Sequence, residues 1–359
     1  MSRPPRLSAI VPTYRRAPVL RETLGRLLAQ DHPDFEIIVA DDGSPDETPE
    51  VVSSFRDPRI RHVRENRLGM PGIWNAGLRH CRGEYVMTCH DHDIHGPRLL
   101  SGLSEALDRH PSAAYAHCSV FVTGSDYKEI HTCNLAGHAP LTAGLRFLDE
   151  QLLPGVHCPV VAQSMVRREF LRGEGMDPSY GPCADVELWM RLATRGDVAY
   201  VARPLYVHVE RDPNSQLYFQ GLRNLADVLR AKRRYLPTVT SDRRRAEIEK
   251  GWRKDVNANV LLQMWIALRH RKHSELEAIR EFVEREGTAV GRGSVAFLRA
   301  CPDLLRLPLL SSVRWLSRLN RIPRRIRAER LKSRFLREVG LEFFEKEKDG
   351  RNACPPAVT

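Results

Sequence analysis

The sequence predicts an α/β protein: a mostly parallel sheet flanked by helices, followed by a helical C-terminal region. Two observations carry the expectation. From Leu7 to about Thr123, short β-rich runs alternate with helical periods, the pattern of a parallel sheet covered by helices. After Asn214, long helical periods take over. The length adds a bound: 359 residues with 42% hydrophobic content can bury a full-sized core and suit one domain plus an appendage.

Strands are predicted at Leu7 to Val11, Glu36 to Ala40, Ile60 to Val63, Glu84 to Cys89 and Ala114 to Val122. Between them Val19, Leu20, Leu24, Leu27 and Leu28 mark an amphipathic helix, Pro49 to Phe55 a second and Gly72 to His80 a third. Beyond Thr123 the spacing predicts a helix near Leu141 to Leu152, a strand near Val160 to Val166, a helix near Val186 to Thr194 and a strand near Val198 to Val209. Long helices follow at Gln216 to Tyr235, Asp242 to Arg271 and Ser274 to Arg285. The expected division is 1–214 for the α/β domain, 215–290 for a helical extension and 291–359 for a basic helical tail. Right-handed crossovers put the carboxyl ends of the strands on one edge, where open α/β sheets bind ligands.

Composition narrows the function classes. The eight cysteines are scattered and include no Cys-x-x-Cys pair, which argues against a zinc ribbon or a dithiol redox motif and for reduced thiols. The first residues lack the apolar run of a signal peptide, and no stretch reaches the roughly 18 apolar residues of a membrane span. A cytoplasmic protein is expected, or one peripheral on the cytoplasmic membrane face. The net charge of +11 is concentrated: between Arg306 and Arg337 stand eleven Arg or Lys and one acid, Glu329. Those cations are interleaved with apolar residues such as Trp315, Leu316, Ile322 and Phe335, a mixture that suits a helix on an anionic membrane surface. The bland alternative packs the apolar residues on the protein and leaves the arginines solvated. Nucleic acid is disfavoured, because no reading motif accompanies the charge.

Chemistry-bearing residues gather where strands end. Strand one runs into Pro12-Thr13-Tyr14, whose hydroxyl and ring could meet a nucleobase or merely punctuate a loop. Strand two ends in Asp41-Asp42-Gly43-Ser44. Adjacent carboxylates at an apolar strand tip need partners, and an Asx turn with Gly43 at positive φ is the plain alternative. The glycine-punctuated loop Asn66 to Gly72 enters a helix carrying Asn75, a start that favours an anionic ligand such as a diphosphate, or a packing loop. Strand four ends in His90-Asp91-His92-Asp93, and carboxylates with imidazole there read as a Mn²⁺ or Mg²⁺ site, or as a solvated polar turn. Asp185 stands at a helix start, where a carboxylate is first of all a capping device. His208 lies near a strand end, where a satisfied core histidine is common.

Taken in order, Val11-Pro12-Thr13-Tyr14-Arg15-Arg16, Ala40-Asp41-Asp42-Gly43-Ser44, Trp74-Asn75-Ala76-Gly77-Leu78, Gly83-Glu84-Tyr85-Val86, His90-Asp91-His92-Asp93 and Asp185-Val186-Glu187-Leu188-Trp189 resemble the family 2 inverting glycosyltransferases of the GT-A fold. The resemblance spans about Leu7 to Asn214 and implies a nucleotide-sugar donor, a divalent cation, Mn²⁺ or Mg²⁺, and an acceptor hydroxyl on a glycan or lipid-linked saccharide. It implies that Thr13, Tyr14 and Asp42 hold the nucleoside with Asp41 supporting them, Pro12, Asn75 and Asp91 completing the nucleotide site. Asp185 matches the general base, and His208 a histidine near the diphosphate. The family's His-Asp-Asp-Asp run reads His90-Asp91-His92-Asp93 here, so the usual metal-binding carboxylate falls on His92. The metal is then expected among Asp91, His92, Asp93 and His208. That substitution also admits a catalytically inactive GT-A core that binds membrane or nucleic acid through its tail.

Overall fold

In the computed structural model, which describes residues 3–124, 130–133, 138–160, 163–210, 221–269 and 273–286, the most apolar runs form the centre of one sheet. β1 (Leu7–Thr13) and β2 (Phe35–Asp41) are buried almost throughout, as expected of parallel strands covered on both faces. α1 (Ala17–Leu28) connects them, burying Leu20, Leu24 and Leu27 on one stripe. α2 (Thr48–Ser54), β3 (Ile60–Arg64), α3 (Gly72–Arg79) and β4 (Tyr85–Thr88) continue the alternation. Then come β5 (Ile94–His95), α4 (Leu99–Arg109), β6 (Ala113–Gly124), β7 (Ile130–Cys133), β8 (Leu141–Thr142), α5 (Gly144–Phe147), β9 (Met165–Arg167), α6 (Ala184–Ala193) and β10 (Asp197–Glu210). α7 (Gly221–Tyr235), α8 (Asp242–Arg269) and α9 (His273–Glu286) follow.

The sheet has ten strands, in the order β3-β2-β1-β4-β9-β6-β10-β5, with β7 on β6 and β8 on β10. From β3 to β4 all pairings are parallel. β9 is antiparallel to both β4 and β6, whereas β6 and β10 are parallel. The sheet is thus parallel from β3 to β4 and mixed beyond it. The strand order reverses between β1 and β4, the switch point at which such sheets open a ligand crevice.

Three readings of the sequence differ from the structure. α4 went unpredicted because Ser101, Gly102 and Ser104 interrupt its buried stripe of Leu99, Leu100, Leu103 and Leu107. Gly102 is there for close approach: a Cβ would lie 3.0 Å from Leu205 of β10. The helix expected at Leu141 to Leu152 is instead β8, the four-residue α5 and a π-helical turn at Leu148–Leu152. The strand expected from Val160 is only Met165–Arg167, since β9 pairs for three residues against Tyr85–Met87.

The chain divides into two units. Of the described residues, those within 3–148 and 159–210 form one and those within 149–158 and 221–286 the other. Within the second, Asp149–Cys158 is tied to α7 and α8: the Lys232 ammonium donates to the carbonyl oxygens of Leu152 and Leu153, and Trp252 Nε1 to Leu153 O at 2.7 Å. Asp255 accepts from the Val156 amide at 3.2 Å, and Arg244 pairs with Asp149 at 2.9 Å. The basic stretch from Arg306 to Arg337, and with it the expected tail, lies outside the described residues. No described helix is long and apolar enough to cross a membrane.

Candidate active site

The carboxyl ends of β1, β2 and β4 lie side by side, so the residues that follow them share one edge. Asp41 and Asp42, whose adjacent charges needed partners, each find several. Asp41 is fully buried and accepts from the Ser44 amide at 2.8 Å, closing the turn in which Gly43 adopts φ +73°. His62 and Arg64 of β3 approach its other oxygen at 3.3 and 3.1 Å. Asp42 accepts the amides of Leu68 and Gly69, the latter at 2.9 Å, and so draws the glycine-punctuated loop over the end of β2. In that loop the Arg67 guanidinium stacks over the Tyr14 ring, 4.0 Å from its centroid. Pro12 is half-buried at the end of β1. Asn75 is placed differently from the others: its amide oxygen accepts from the Met176 amide at 2.9 Å and its nitrogen donates to Met176 O at 2.8 Å. Both functional atoms are therefore committed to positioning the segment that leads towards α6.

Beyond β4 the polar run folds back on itself. Thr13 Oγ1 donates to Asp91 Oδ2 at 2.8 Å, and Asp91 Oδ1 lies 2.9 Å from His92 Nδ1. Burial would raise the Asp91 carboxyl, but His92 and Arg16 outweigh it and hold it below its ordinary value. Asp93 is the centre of the cluster. Its Oδ2 accepts from Gln163 Nε2 at 2.6 Å and meets His90 Nδ1 at 3.1 Å, while Oδ1 accepts from the Val209 amide at 3.0 Å and meets His208 Nδ1 at 3.1 Å. Burial opposes its ionisation, yet His208 and His90 hold the carboxyl well below the usual range. His90 is pushed up against the pull of burial by Asp93, Asp91 and Asp185, whereas for His92 burial prevails and lowers its basicity. The His90 and His92 rings stack at 5.3 Å.

His90, His92, Asp93 and His208 each offer a donor atom, all within 4.8 Å of one another. Three nitrogens and a carboxylate oxygen in that space fit one divalent ion. His208 reaches the cluster because β10 runs antiparallel to β5, pairing Val207 with Ile94, the residue after Asp93. Asp185 is the second residue of α6 and not its cap, a place held by Cys183 without a side-chain bond, and its Oδ1 accepts from the Val186 amide at 2.8 Å. Burial raises its carboxyl, with that amide and the charge of His90 opposing. Two participants escaped the sequence reading. His90 belonged to the quoted run but not to the expected ligands, and Gln163 stands seventy positions from Asp93 in a stretch without a motif.

Comparison with known proteins bears on this arrangement directly. Residues 8–173 match the family model described as glycosyl transferase family 2. This segment, somewhat under half of the chain, is what is similar to that family. A curated relative, GalNAc(5)-diNAcBac-PP-undecaprenol beta-1,3-glucosyltransferase of Campylobacter jejuni, is 38% identical over 117 residues, 32% of this chain and 37% of the relative. The chain spans about 37–40% of the length of the first such relatives. Among solved structures, S. aureus TarS superposes with TM-score 0.54 at 18% identity, covering 84% of this chain and 52% of TarS. The mannosyltransferase PcManGT of Pyrobaculum calidifontis, in complex with GDP-Man and Mn²⁺, gives 0.52 at 18% identity over 96% of this chain and 89% of its own. Both likenesses show the GT-A fold. The matched residues run from β1 to β9, so Thr13, Asp42 and the run His90 to Asp93 lie inside them, and Asp185 and His208 beyond.

Proposed function

We propose that the protein is an inverting glycosyltransferase that moves a sugar from a nucleotide-sugar donor to an acceptor hydroxyl of a glycan or lipid-linked saccharide. The observation that carries the proposal is the convergence, on the carboxyl edge of the sheet, of Thr13, Asp91, the His90–His92–Asp93–His208 cluster and the carboxylate of Asp185. Tyr14 and Asp42 flank the donor's nucleoside with Thr13 and Pro12 beside them, Asp41 holding the turn beneath. Asn75 acts by fixing the loop that leads to α6.

Asp185 is the general base. It takes the proton of the acceptor hydroxyl as that oxygen attacks the anomeric carbon on the face opposite the leaving diphosphate. Its raised pKa suits the role, because a desolvated carboxylate is the stronger base. His90, His92, Asp93 and His208 would hold a divalent cation, which when bound neutralises charge developing on the departing nucleoside diphosphate. Arg16 adds a further positive charge next to Asp91. A lipid-linked acceptor accords with the name of the Campylobacter relative, and Mn²⁺ with the complex of the Pyrobaculum enzyme. Docking on the cytoplasmic membrane face through residues 306–337 would bring such an acceptor within reach, and vesicle co-sedimentation of the full chain at two salt concentrations tests it.

The test of the reading is a thermal-shift screen of UDP- and GDP-sugars with Mn²⁺ and with EDTA, since a donor that binds only the folded state must raise apparent stability. At least one donor is expected to stabilise the protein in Mn²⁺ and not in EDTA. No shift with any donor, in the presence of loaded metal, would refute the proposal.

A further inference from the structure

The substitution of His92 for the carboxylate usual in this position has a consequence for the metal itself. We propose that His90, His92, Asp93 and His208 form a single site for a borderline transition-metal ion of the Mn²⁺, Fe²⁺, Co²⁺ and Zn²⁺ class that discriminates against Mg²⁺ and Ca²⁺. In it Asp91 stands outside the coordination sphere and holds His92 in place. The inference rests on the proposed donor site but concerns its chemistry, and can fail independently of it.

Distances support one ion with four protein ligands. Bonds of about 2.1 Å separate neighbouring ligand atoms by roughly 3 Å and opposite ones by about 4.2 Å. His90 Nδ1 and His208 Nδ1 each lie 3.1 Å from an oxygen of Asp93, and His92 Nε2 lies 3.8 Å from Asp93 Oδ1. These are separations of ligands around a shared centre.

Asp91 is not among the residues whose donor atoms gather within 4.8 Å of one another. One of its oxygens is taken by Thr13 Oγ1 at 2.8 Å and the other by His92 Nδ1 at 2.9 Å. Anchoring Nδ1 fixes the ring and leaves Nε2 towards Asp93, the carboxylate–histidine arrangement that orients a metal-bound imidazole and increases its basicity. Asp93 is itself oriented by Gln163 Nε2 at 2.6 Å and the Val209 amide at 3.0 Å. The ligand set is preorganised by partners that are not ligands.

Donor type then decides the ion. Mg²⁺ demands near-octahedral oxygen coordination and gives up its waters reluctantly, and Ca²⁺ takes six to eight oxygens. Three imidazoles and one carboxylate offer neither. Nitrogen donors suit first-row transition metals. A single ligand anion also leaves the centre with positive charge, which a diphosphate can complete.

The test uses the full chain, freed of metal by chelation and titrated with metal alone. One Co²⁺ per chain should bind with visible absorption of a nitrogen-ligated ion, and free Mn²⁺ resonance should disappear at one equivalent. Mg²⁺ should compete with Mn²⁺ on the order of 100-fold more weakly or worse. Asp91→Asn should weaken Mn²⁺ binding by roughly 10- to 100-fold while keeping the Co²⁺ spectrum. His92→Asp, which restores an oxygen donor, should fold and narrow the Mn²⁺ over Mg²⁺ preference. Equal competition by Mg²⁺, or a preference unmoved by His92→Asp, would overturn the inference while leaving the glycosyltransferase reading intact. Selective one-to-one loading without any donor-dependent stabilisation would uphold the site and sink that reading.

Discussion

His117 offers a quantitative test of how the interior of the sheet is built. It lies on β6, 1% exposed, among the rings of Tyr200 at 4.9 Å, Phe147 at 5.5 Å, His138 at 5.8 Å and Tyr115 at 6.4 Å. Neither ring nitrogen has a hydrogen-bond partner among the described residues. Burial pushes the imidazole from 6.5 down to about 3. The folded chain therefore refuses a proton that the unfolded chain accepts between these two values, and stability falls as pH falls through that window. At about pH 5 protonation of this one group shifts the balance towards the unfolded state by a factor of roughly 30, which is ~2 kcal/mol, against well under ~1 kcal/mol at about pH 7. His117→Leu, close in volume, removes this dependence. Urea midpoints of parent and variant should diverge by ~2 kcal/mol in the variant's favour between about pH 7 and pH 5, every other titrating group being common to both. A parallel loss of stability in the two proteins would refute the reasoning.

Two further outcomes follow from the same structure. Asp42→Ala frees the amides of Leu68 and Gly69 and should weaken donor binding at least about tenfold by calorimetry, as loss of a charge-assisted contact predicts; unchanged affinity would remove Asp42 from the nucleotide site. Burial lowers the Lys232 ammonium to about 8, so the unfolded chain binds more protons between about 8 and 10.5 and stability contributed here rises with pH. Parent should gain on Lys232→Met across that range in denaturant titrations, and a constant difference would show that the amine is not held in a desolvated state.

Much of the first half was legible because its signals are local. Apolar runs at β1, β2 and β4 and the Leu20, Leu24 and Leu27 stripe of α1 depend on neighbours in sequence, and the turn at Asp41 to Ser44 has its glycine where positive φ is needed. The clustering of chemistry at strand ends was legible for the same reason. What escaped depends on contacts distant in sequence. Gln163 acquires meaning only when β9 inserts between β4 and β6, and His90 joins the cluster only because β10 delivers His208 opposite it. Asn75 fits the expected motif, yet its partner at Met176 is unrecognisable from residue type. The mixed character of the second half was hidden too, because strand direction is set by connections whose short strands, β5, β8 and β9, carry little periodicity.

The most direct test of the central claim separates turnover from donor affinity at Asp185. Asp185 is the second residue of α6, whose N-cap is Cys183, and Asn keeps the size and shape of the side chain, so Asp185→Asn should fold and should bind donor within a few fold of the parent in Mn²⁺. Release of nucleoside diphosphate to an accepted acceptor should fall by roughly 10² or more, as loss of a general base requires. In the parent, the acid limb of that rate should lie above the ordinary carboxylate range, because burial raises the Asp185 carboxyl. Near-parental turnover by a folded, donor-binding Asp185→Asn protein would contradict the account.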